Sequence, residues 1–350
     1  MRKYRKIGVW QTAFLGDAVL TLPLIRALKD AYPEAELHFF VRGGVEPLFA
    51  PHKDLASVTG FYKRSGQKSL RAAQRFGREI GSRGFDLWVS THASLRSALV
   101  ARSTAIPERI GYDAPWFNKL AYTHAVARRF SELEEIERLM QLAIPLGIEG
   151  EVPWPELDLA PAAIDAAQSF FEGLDRLRPG APVLGVHPGS TWPTKKWPLG
   201  SFAEILRRAV ESGATVAVFG GPGEEADAAE VIRLSGMGDL PQVVDLSGML
   251  DLPTLAAYIK RLTVYLTNDS GPMHLAWIQR TPTVAVFGPT VRELGFFPRG
   301  ETATVMEVAD LDCRPCGLHG PKRCPKGHHD CMMQLTPDMV WGVLQKKLCK

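Results

Sequence analysis

The sequence predicts an α/β protein made of two Rossmann-like halves with parallel sheets, and three observations carry that reading. Short apolar runs alternate with amphipathic segments along most of the chain, the rhythm of repeated βαβ units. The rhythm lapses once, over 148–161, where proline and acidic residues crowd together without any period. At 350 residues the chain also exceeds what one typical core supports, so each half is expected to bury its own. The expected organisation is a first domain over 1–160, a second over 161–335, and a closing amphipathic helix over 336–350.

The first half opens with an apolar strand at 7–10, a loop through Phe14-Leu15-Gly16-Asp17, and a helix over 18–31. Leu20, Leu24, Ala27 and Leu28 share one face of that helix, and Pro33 ends it. Strands at 36–41 and 86–90 continue the parallel pattern. After a helix over 162–174 and a short passage at 178–182, the second half repeats the rhythm. Its predicted strands are 183–187, 214–219, 243–246, 263–267 and 284–287, and its helices are 199–211, 223–235, 252–260 and 273–279. In such folds ligands sit outside the carboxyl ends of the strands, which makes the strand-to-helix loops the place to look for chemistry.

Three of those loops are informative. Thr267-Asn268-Asp269-Ser270-Gly271-Pro272-Met273-His274 runs from a strand directly into a helix start. Unpaired N–H groups and the positive dipole end make Ser270 and Gly271 an anion site suited to phosphate, with His274 one turn further along. Pro188-Gly189-Ser190-Thr191-Trp192-Pro193-Thr194-Lys195-Lys196-Trp197-Pro198 offers the hydroxyls of Ser190, Thr191 and Thr194 and two cations. Together the two loops suggest a nucleotide-diphosphate pocket. Phe219-Gly220-Gly221-Pro222-Gly223-Glu224-Glu225 places two carboxylates where Rossmann-like sites accept ribose hydroxyls, and either glutamate fits that role.

Composition narrows the class. Hydrophobic content of 45% and charged content of 23% are those of ordinary globular proteins, and a net charge of +3 gives no footprint for nucleic acid. The basic start, 1–6, is followed by a run broken by Gln11, Thr12, Gly16 and Asp17, which argues against a signal peptide, and no window has the length of a transmembrane helix. Lys63, Arg64, Lys68, Arg71, Arg75 and Arg78 read as a solvated helix face able to touch an anionic surface. All five cysteines lie after residue 312, and Cys313, Cys316, Cys324 and Cys331 follow C-x2-C-x7-C-x6-C. Reduced structural thiols, a zinc site and disulfides all fit that spacing; the reading adopted is no metal, with zinc as the alternative.

The loops taken in order resemble glycosyltransferase family nine, the lipopolysaccharide heptosyltransferases of GT-B fold. The resemblance rests on Gly16-Asp17-Ala18, Pro188-Gly189-Ser190 with Thr194-Lys195-Lys196-Trp197-Pro198, Asn268-Asp269-Ser270-Gly271-Pro272-Met273-His274 and the terminal cysteine segment. It implies two facing domains with a cleft between them, the first binding acceptor and the second ADP-sugar. It also implies inverting transfer of heptose from ADP-L-glycero-D-manno-heptose to the lipopolysaccharide inner core, Kdo-lipid A, at the cytoplasmic face of the inner membrane.

By the same resemblance Asp17 is the base, beside Gly16 on the acceptor side. Lys195, with Lys196 as rival, neutralises the diphosphate; Asp269 meets the heptose hydroxyls; Ser270 and Gly271 meet the phosphates; Glu224 or Glu225 meets the nucleoside. No cofactor is expected, because the chain shows no clear Asp-x-Asp pair for a divalent ion. The rival readings are a family member with another nucleotide sugar or acceptor, a sugar-nucleotide 2-epimerase, and a non-catalytic sugar-nucleotide binder. The Gly16-Asp17 loop favours transfer. Trp10, Phe14, Trp116 and Phe117 are candidates for shaping the acceptor side.

Overall fold

In the computed structural model, which describes residues 3–63, 65–66 and 68–349, the chain divides into units Met1–Asp158 and Leu159–Lys350. The first unit runs β1 (Lys6–Gln11), α1 (Leu15–Leu20), α2 (Leu22–Ala31), β2 (Glu36–Arg42), α3 (Glu46–Phe49), β3 (Ser57–Phe61), α4 (Leu70–Gly81) and β4 (Leu87–Ser90). It continues with α5 (Leu95–Ser103), β5 (Glu108–Tyr112), β6 (His124–Val126) and α6 (Glu135–Met140). Its six strands are all parallel, in the order β3-β2-β1-β4-β5-β6. Central strands β1 and β4 are apolar and buried, as a sheet covered on both faces requires. Trp10, Phe40, Phe61, Phe76 and Trp88 pack into an aromatic core on one face.

The second unit opens with α7 (Pro161–Leu177), then β7 (Val183–His187), α8 (Leu199–Glu211), β8 (Thr215–Val218), α9 (Glu225–Ser235) and β9 (Val243–Asp245). After these come α10 (Leu252–Arg261), β10 (Val264–Asn268), α11 (Gly271–Ile278), β11 (Thr283–Phe287), β12 (Ala303–Glu307), α12 (Asp330–Met333) and α13 (Pro337–Leu348). The parallel order β12-β11-β10-β7-β8-β9 is the same topology as in the first unit, counted from β7. Val340, Leu344 and Leu348 of α13 are buried in this unit's core with Val186, Leu266 and Val286.

Several elements differ from expectation for local reasons. The helix expected over 18–31 is two helices that part at Thr21, whose hydroxyl donates to the Asp17 carbonyl at 2.8 Å. Pro23, with no N–H and a ring that excludes the helical carbonyl four residues back, enforces the break. Strands β3, β6 and β12 lie at or beside sheet edges, are short or half-exposed, and carry no apolar run to announce them. The basic residues of 63–78 do not form one helix face. Arg71, Arg75 and Arg78 are exposed on α4, Lys63 precedes it and turns inward, and Arg64 lies outside the described residues. Trp10 is core rather than an acceptor-side aromatic, whereas Trp116 is 75% exposed.

Trp197 anchors the second unit beneath the loop that follows β7. It is fully buried, donates Nε1–H to the Leu335 carbonyl at 2.8 Å, and meets Phe202 edge-on at 5.1 Å. Trp197→Ala removes both the packing and that hydrogen bond, so a loss of about 3–5 kcal/mol is expected in chemical denaturation. A loss below about 1 kcal/mol, the scale of an ordinary surface change, would contradict this anchoring role.

Candidate functional site

A doubly wound sheet opens where its strand order reverses, because loops leaving the two adjacent strands depart in opposite directions. That point lies between β1 and β4 in the first unit and between β7 and β10 in the second. Gly16 and Asp17 follow β1; Ser190 to Lys195 follow β7; Asp269, Ser270 and Gly271 follow β10. The repeated topology therefore puts the predicted loops at equivalent positions in both units.

In the first unit, Asp17 is in the first turn of α1, and its Oδ2 accepts the Phe14 N–H at 3.1 Å. It is not the N-cap residue; that position is Phe14's. Burial and the nearby Glu135 carboxylate push the Asp17 carboxyl up to about 6, against the opposing pull of the Phe14 N–H and Arg128. Gly16 is buried beside it.

The surroundings are basic, and the sequence alone did not single them out for this role. Arg128 reaches both oxygens of Glu135 at 2.8 Å, and fully buried Arg138 holds Glu135 from the other side at 3.0 Å. Lys63 donates to the Thr12 carbonyl and is pushed down to about 8 by burial, Arg42 and Arg96. His92 bonds Thr12 Oγ1 at 3.2 Å and Ser97 Oγ at 3.0 Å; burial, Lys63 and Arg128 push it down to about 3, so it is neutral. A carboxylate that titrates at about 6 is mostly ionised at neutral pH and, with Arg128 and Lys63 near it, can take a proton from a hydroxyl on an anionic substrate. These residues come from separate strands and loops, so no local spacing signals the cluster.

In the second unit, Asn268 ties the two predicted loops together. Its Nδ2 donates to the Pro188 carbonyl at 2.8 Å, and its Oδ1 accepts the Trp197 N–H at 3.0 Å. Lys195, only 8% exposed, pairs with Asp269 Oδ2, which also accepts from Thr290 Oγ1 at 2.7 Å. Lys196 is more exposed and pairs instead with Asp227 at 2.5 Å. Asp269 is thus held by a cation and a hydroxyl rather than standing open. Ser190 Oγ donates to the Asp269 carbonyl at 3.4 Å. Thr191 is exposed and its hydroxyl makes no hydrogen bond among the described residues.

Ser270 occupies the N-cap position of α11, but its side chain does not cap; Oγ lies 3.2 Å from Thr267 Oγ1. The first N–H groups of α11, starting at Gly271, therefore keep their capacity for an anion. His274 is buried within α11, and its Nδ1 accepts from Trp277 Nε1 at 3.1 Å, which puts the proton on Nε2. Burial pushes His274 down to about 4, so it is a neutral donor and not a cation.

Of the two glutamates, Glu224 turns inward to His187 at 3.0 Å and to the Gly221 N–H at 2.8 Å. Glu225 caps the exposed Gly223 N–H at 2.8 Å. Of the pair, Glu224 is the one turned toward β7 and the loop that follows it.

Thr194 is committed elsewhere. Its hydroxyl donates to the Pro321 carbonyl at 2.5 Å, and its own carbonyl accepts from His329 Nε2 at 2.8 Å. Trp192 stacks on His319 with ring centroids 5.8 Å apart. The cysteine segment thus braces the Ser190–Lys195 loop from outside. Its four thiols and Cys349 are all free, which corrects the disulfide alternative. Burial pushes Cys331 up to about 11. Among the described residues no three His, Cys, Asp or Glu side chains gather at metal-binding spacing. A literal Asp-x-Asp does occur, Asp310-Leu311-Asp312, contrary to the sequence reading; it follows β12 and belongs to no such cluster.

Two parallel sheets of one topology, each opening at its switch point, define the architecture of the GT-B glycosyltransferases. Comparison with known proteins agrees. The sequence model of Glycosyltransferase family 9 (heptosyltransferase) matches residues 73–323, and this chain belongs to that family of transferases. Lipopolysaccharide heptosyltransferase 2 of Escherichia coli K12 is 24% identical over 349 residues, 96% of each chain. The solved E. coli ADP-heptose lps heptosyltransferase II matches with a TM-score of 0.81 at 22% identity, covering 98% of both chains. A family 9 glycosyltransferase from Veillonella parvula matches with a TM-score of 0.88 at 21% identity, over 100% of this chain and 98% of that one.

Proposed function

We propose that this protein transfers heptose from ADP-L-glycero-D-manno-heptose to a sugar hydroxyl of the lipopolysaccharide inner core, with inversion and without a metal ion. The observation that carries the reading is Asp17, a carboxylate pushed up to about 6 at the switch point of the first unit, with the charges of Arg128, Glu135 and Lys63 close to it. The names and donor of the E. coli relatives support the choice of sugar and acceptor.

Asp17 takes the proton of the acceptor hydroxyl as its oxygen attacks the anomeric carbon. The bond from that carbon to the diphosphate oxygen breaks, and its electron pair leaves with ADP. One displacement inverts the anomeric centre. Lys195 and the N–H groups at the start of α11 receive the charge that grows on the diphosphate, the role a divalent ion has elsewhere. Asp269 aligns Lys195 and meets the sugar hydroxyls, Ser190 and Thr191 line the phosphate side, and Glu224 accepts the ribose. Neutral His274 is a further donor. The basic cluster around Asp17 suits an acceptor sugar bearing carboxylates. Contact with the inner face of the inner membrane is electrostatic in this reading and weakens with salt, since among the described residues no helix is long and apolar enough to cross a membrane.

The test is ADP release from ADP-heptose with Kdo-lipid A or mono-heptosylated core, in the presence of a chelator. Acceptor-dependent release that survives chelation is expected. Release abolished by the chelator overturns metal independence; turnover only with another nucleotide sugar or acceptor overturns the substrate and leaves the family standing. Conversion of a nucleotide sugar without any acceptor points to epimerase chemistry instead.

A further inference from the structure

His187 ends β7 with its ring 4% exposed, and it lies parallel to the Tyr265 ring at a centroid distance of 6.4 Å. Its Nδ1 lies 3.3 Å from Thr267 Oγ1, and its Nε2 lies 3.0 Å from Glu224 Oε2. Burial raises the Glu224 carboxyl, but the His187 bond and charge and the Gly221 N–H outweigh it and leave the group below the usual carboxylate range. An ionised carboxylate only accepts, so the shared proton is on His187 Nε2. Oε2 therefore has two protein donors, His187 and Gly221 N–H, whereas Oε1 has none among the described residues.

The carboxylate also sits against the loop backbone. A Cβ placed on Gly189 would come within 2.3 Å of the Glu224 carboxylate atoms, so only glycine permits this seat. The result is a carboxylate fixed at one oxygen, beside the loop that leads to Lys195, with its second oxygen open to a hydroxyl.

We propose that His187 is a positioning residue for nucleotide recognition: by holding Oε2 of Glu224 it aims Oε1 at a ribose hydroxyl and sets a preference for ribonucleoside over deoxyribonucleoside diphosphates. This rests on the reading of the second unit as the ADP-sugar site. A hydrogen bond to an ionised acceptor lost from a fixed geometry changes affinity by about tenfold or more.

The experiment is calorimetric binding of ADP, 2′-deoxy-ADP, 3′-deoxy-ADP and inorganic pyrophosphate to the full chain and to His187→Ala, His187→Gln, Gly189→Ala and Glu224→Gln. Wild type is expected to prefer ADP over at least one deoxy analogue by about tenfold. His187→Ala and Gly189→Ala lose that preference while pyrophosphate binding stays unchanged. His187→Gln keeps much of it, because an amide N–H reaches the place of Nε2. A merely structural role for His187 would weaken all four ligands together or leave the preference intact, and either outcome overturns the inference, as does wild type that binds ADP without discriminating the analogues. Failure of wild type to bind ADP at all overturns instead the donor-site reading on which it rests. Should His187→Ala not fold, Gly189→Ala and His187→Gln carry the same readout.

Discussion

Asp17→Asn is expected to lower the transfer rate by about 10²–10⁴-fold, the usual contribution of a general base, while ADP affinity stays that of wild type. The variant keeps an oxygen for the Phe14 N–H, so the start of α1 is preserved. The wild-type pH profile adds an independent check. The base works only when ionised, so kcat/KM should fall on the acid side with a midpoint near pH 6, where the Asp17 carboxyl titrates.

The sign of the stability effect is opposite to that of a paired carboxylate. A folded pKa raised from 3.8 to about 6 means that ionised Asp17 costs the folded state free energy. That cost is absent below pH 4, grows between pH 4 and 6, and is complete above 6. Asp17→Asn should therefore melt higher than wild type at pH 7.5, with the difference gone at pH 4. Glu135→Gln removes a like charge and frees Arg128 to act on Asp17, so it should move the acid limb of the rate profile to lower pH. A profile flat from pH 5 to 8, or a fully active Asp17→Asn, would remove Asp17 from the mechanism.

Lys195→Ala should be costly in two separable ways. It strips the nearly buried Asp269 of its cation, and breaking such a pair by deleting one partner costs about 3–5 kcal/mol because a buried charge is left uncompensated. It also removes the cation proposed for the diphosphate, for which a loss of about 10–100-fold in ADP affinity is expected. Lys195→Ala with Asp269→Ala discriminates the two effects: deleting both partners should recover part of the stability measured by denaturation and none of the ADP affinity measured by calorimetry. Lys196→Ala is the control, since its partner Asp227 is more exposed and an ion pair there contributes little. Equal effects from the two lysines would overturn the assignment.

The sequence by itself determined that this is a parallel α/β protein of two halves, and it singled out the loops after 187 and 268 and the loop holding Asp17 as the candidate site. Those features are local: alternation of apolar strands with amphipathic helices, a glycine- and hydroxyl-rich turn, a helix start carrying Ser and Gly. Residue type and order express them without any tertiary contact, and the family resemblance rested on the same segments. The edge strands β3, β6 and β12 escaped because half-exposed short strands have too few apolar residues to show a period.

What only the tertiary structure decided is how chemically equal neighbours are placed and paired. Lys195 differs from Lys196 through Asp269, 74 residues away, and Glu224 differs from Glu225 through His187, 37 residues away. Asp17 acquires its raised pKa from burial and from Glu135, with Arg128 pulling the other way, and both of those charges reach it from beyond β6. Thr194 is drawn from the phosphate side to Pro321 by the packing of the cysteine segment. Burial and charge proximity are properties of the folded sheet's switch points, where strands far apart in sequence become neighbours, and no local pattern of residues records them.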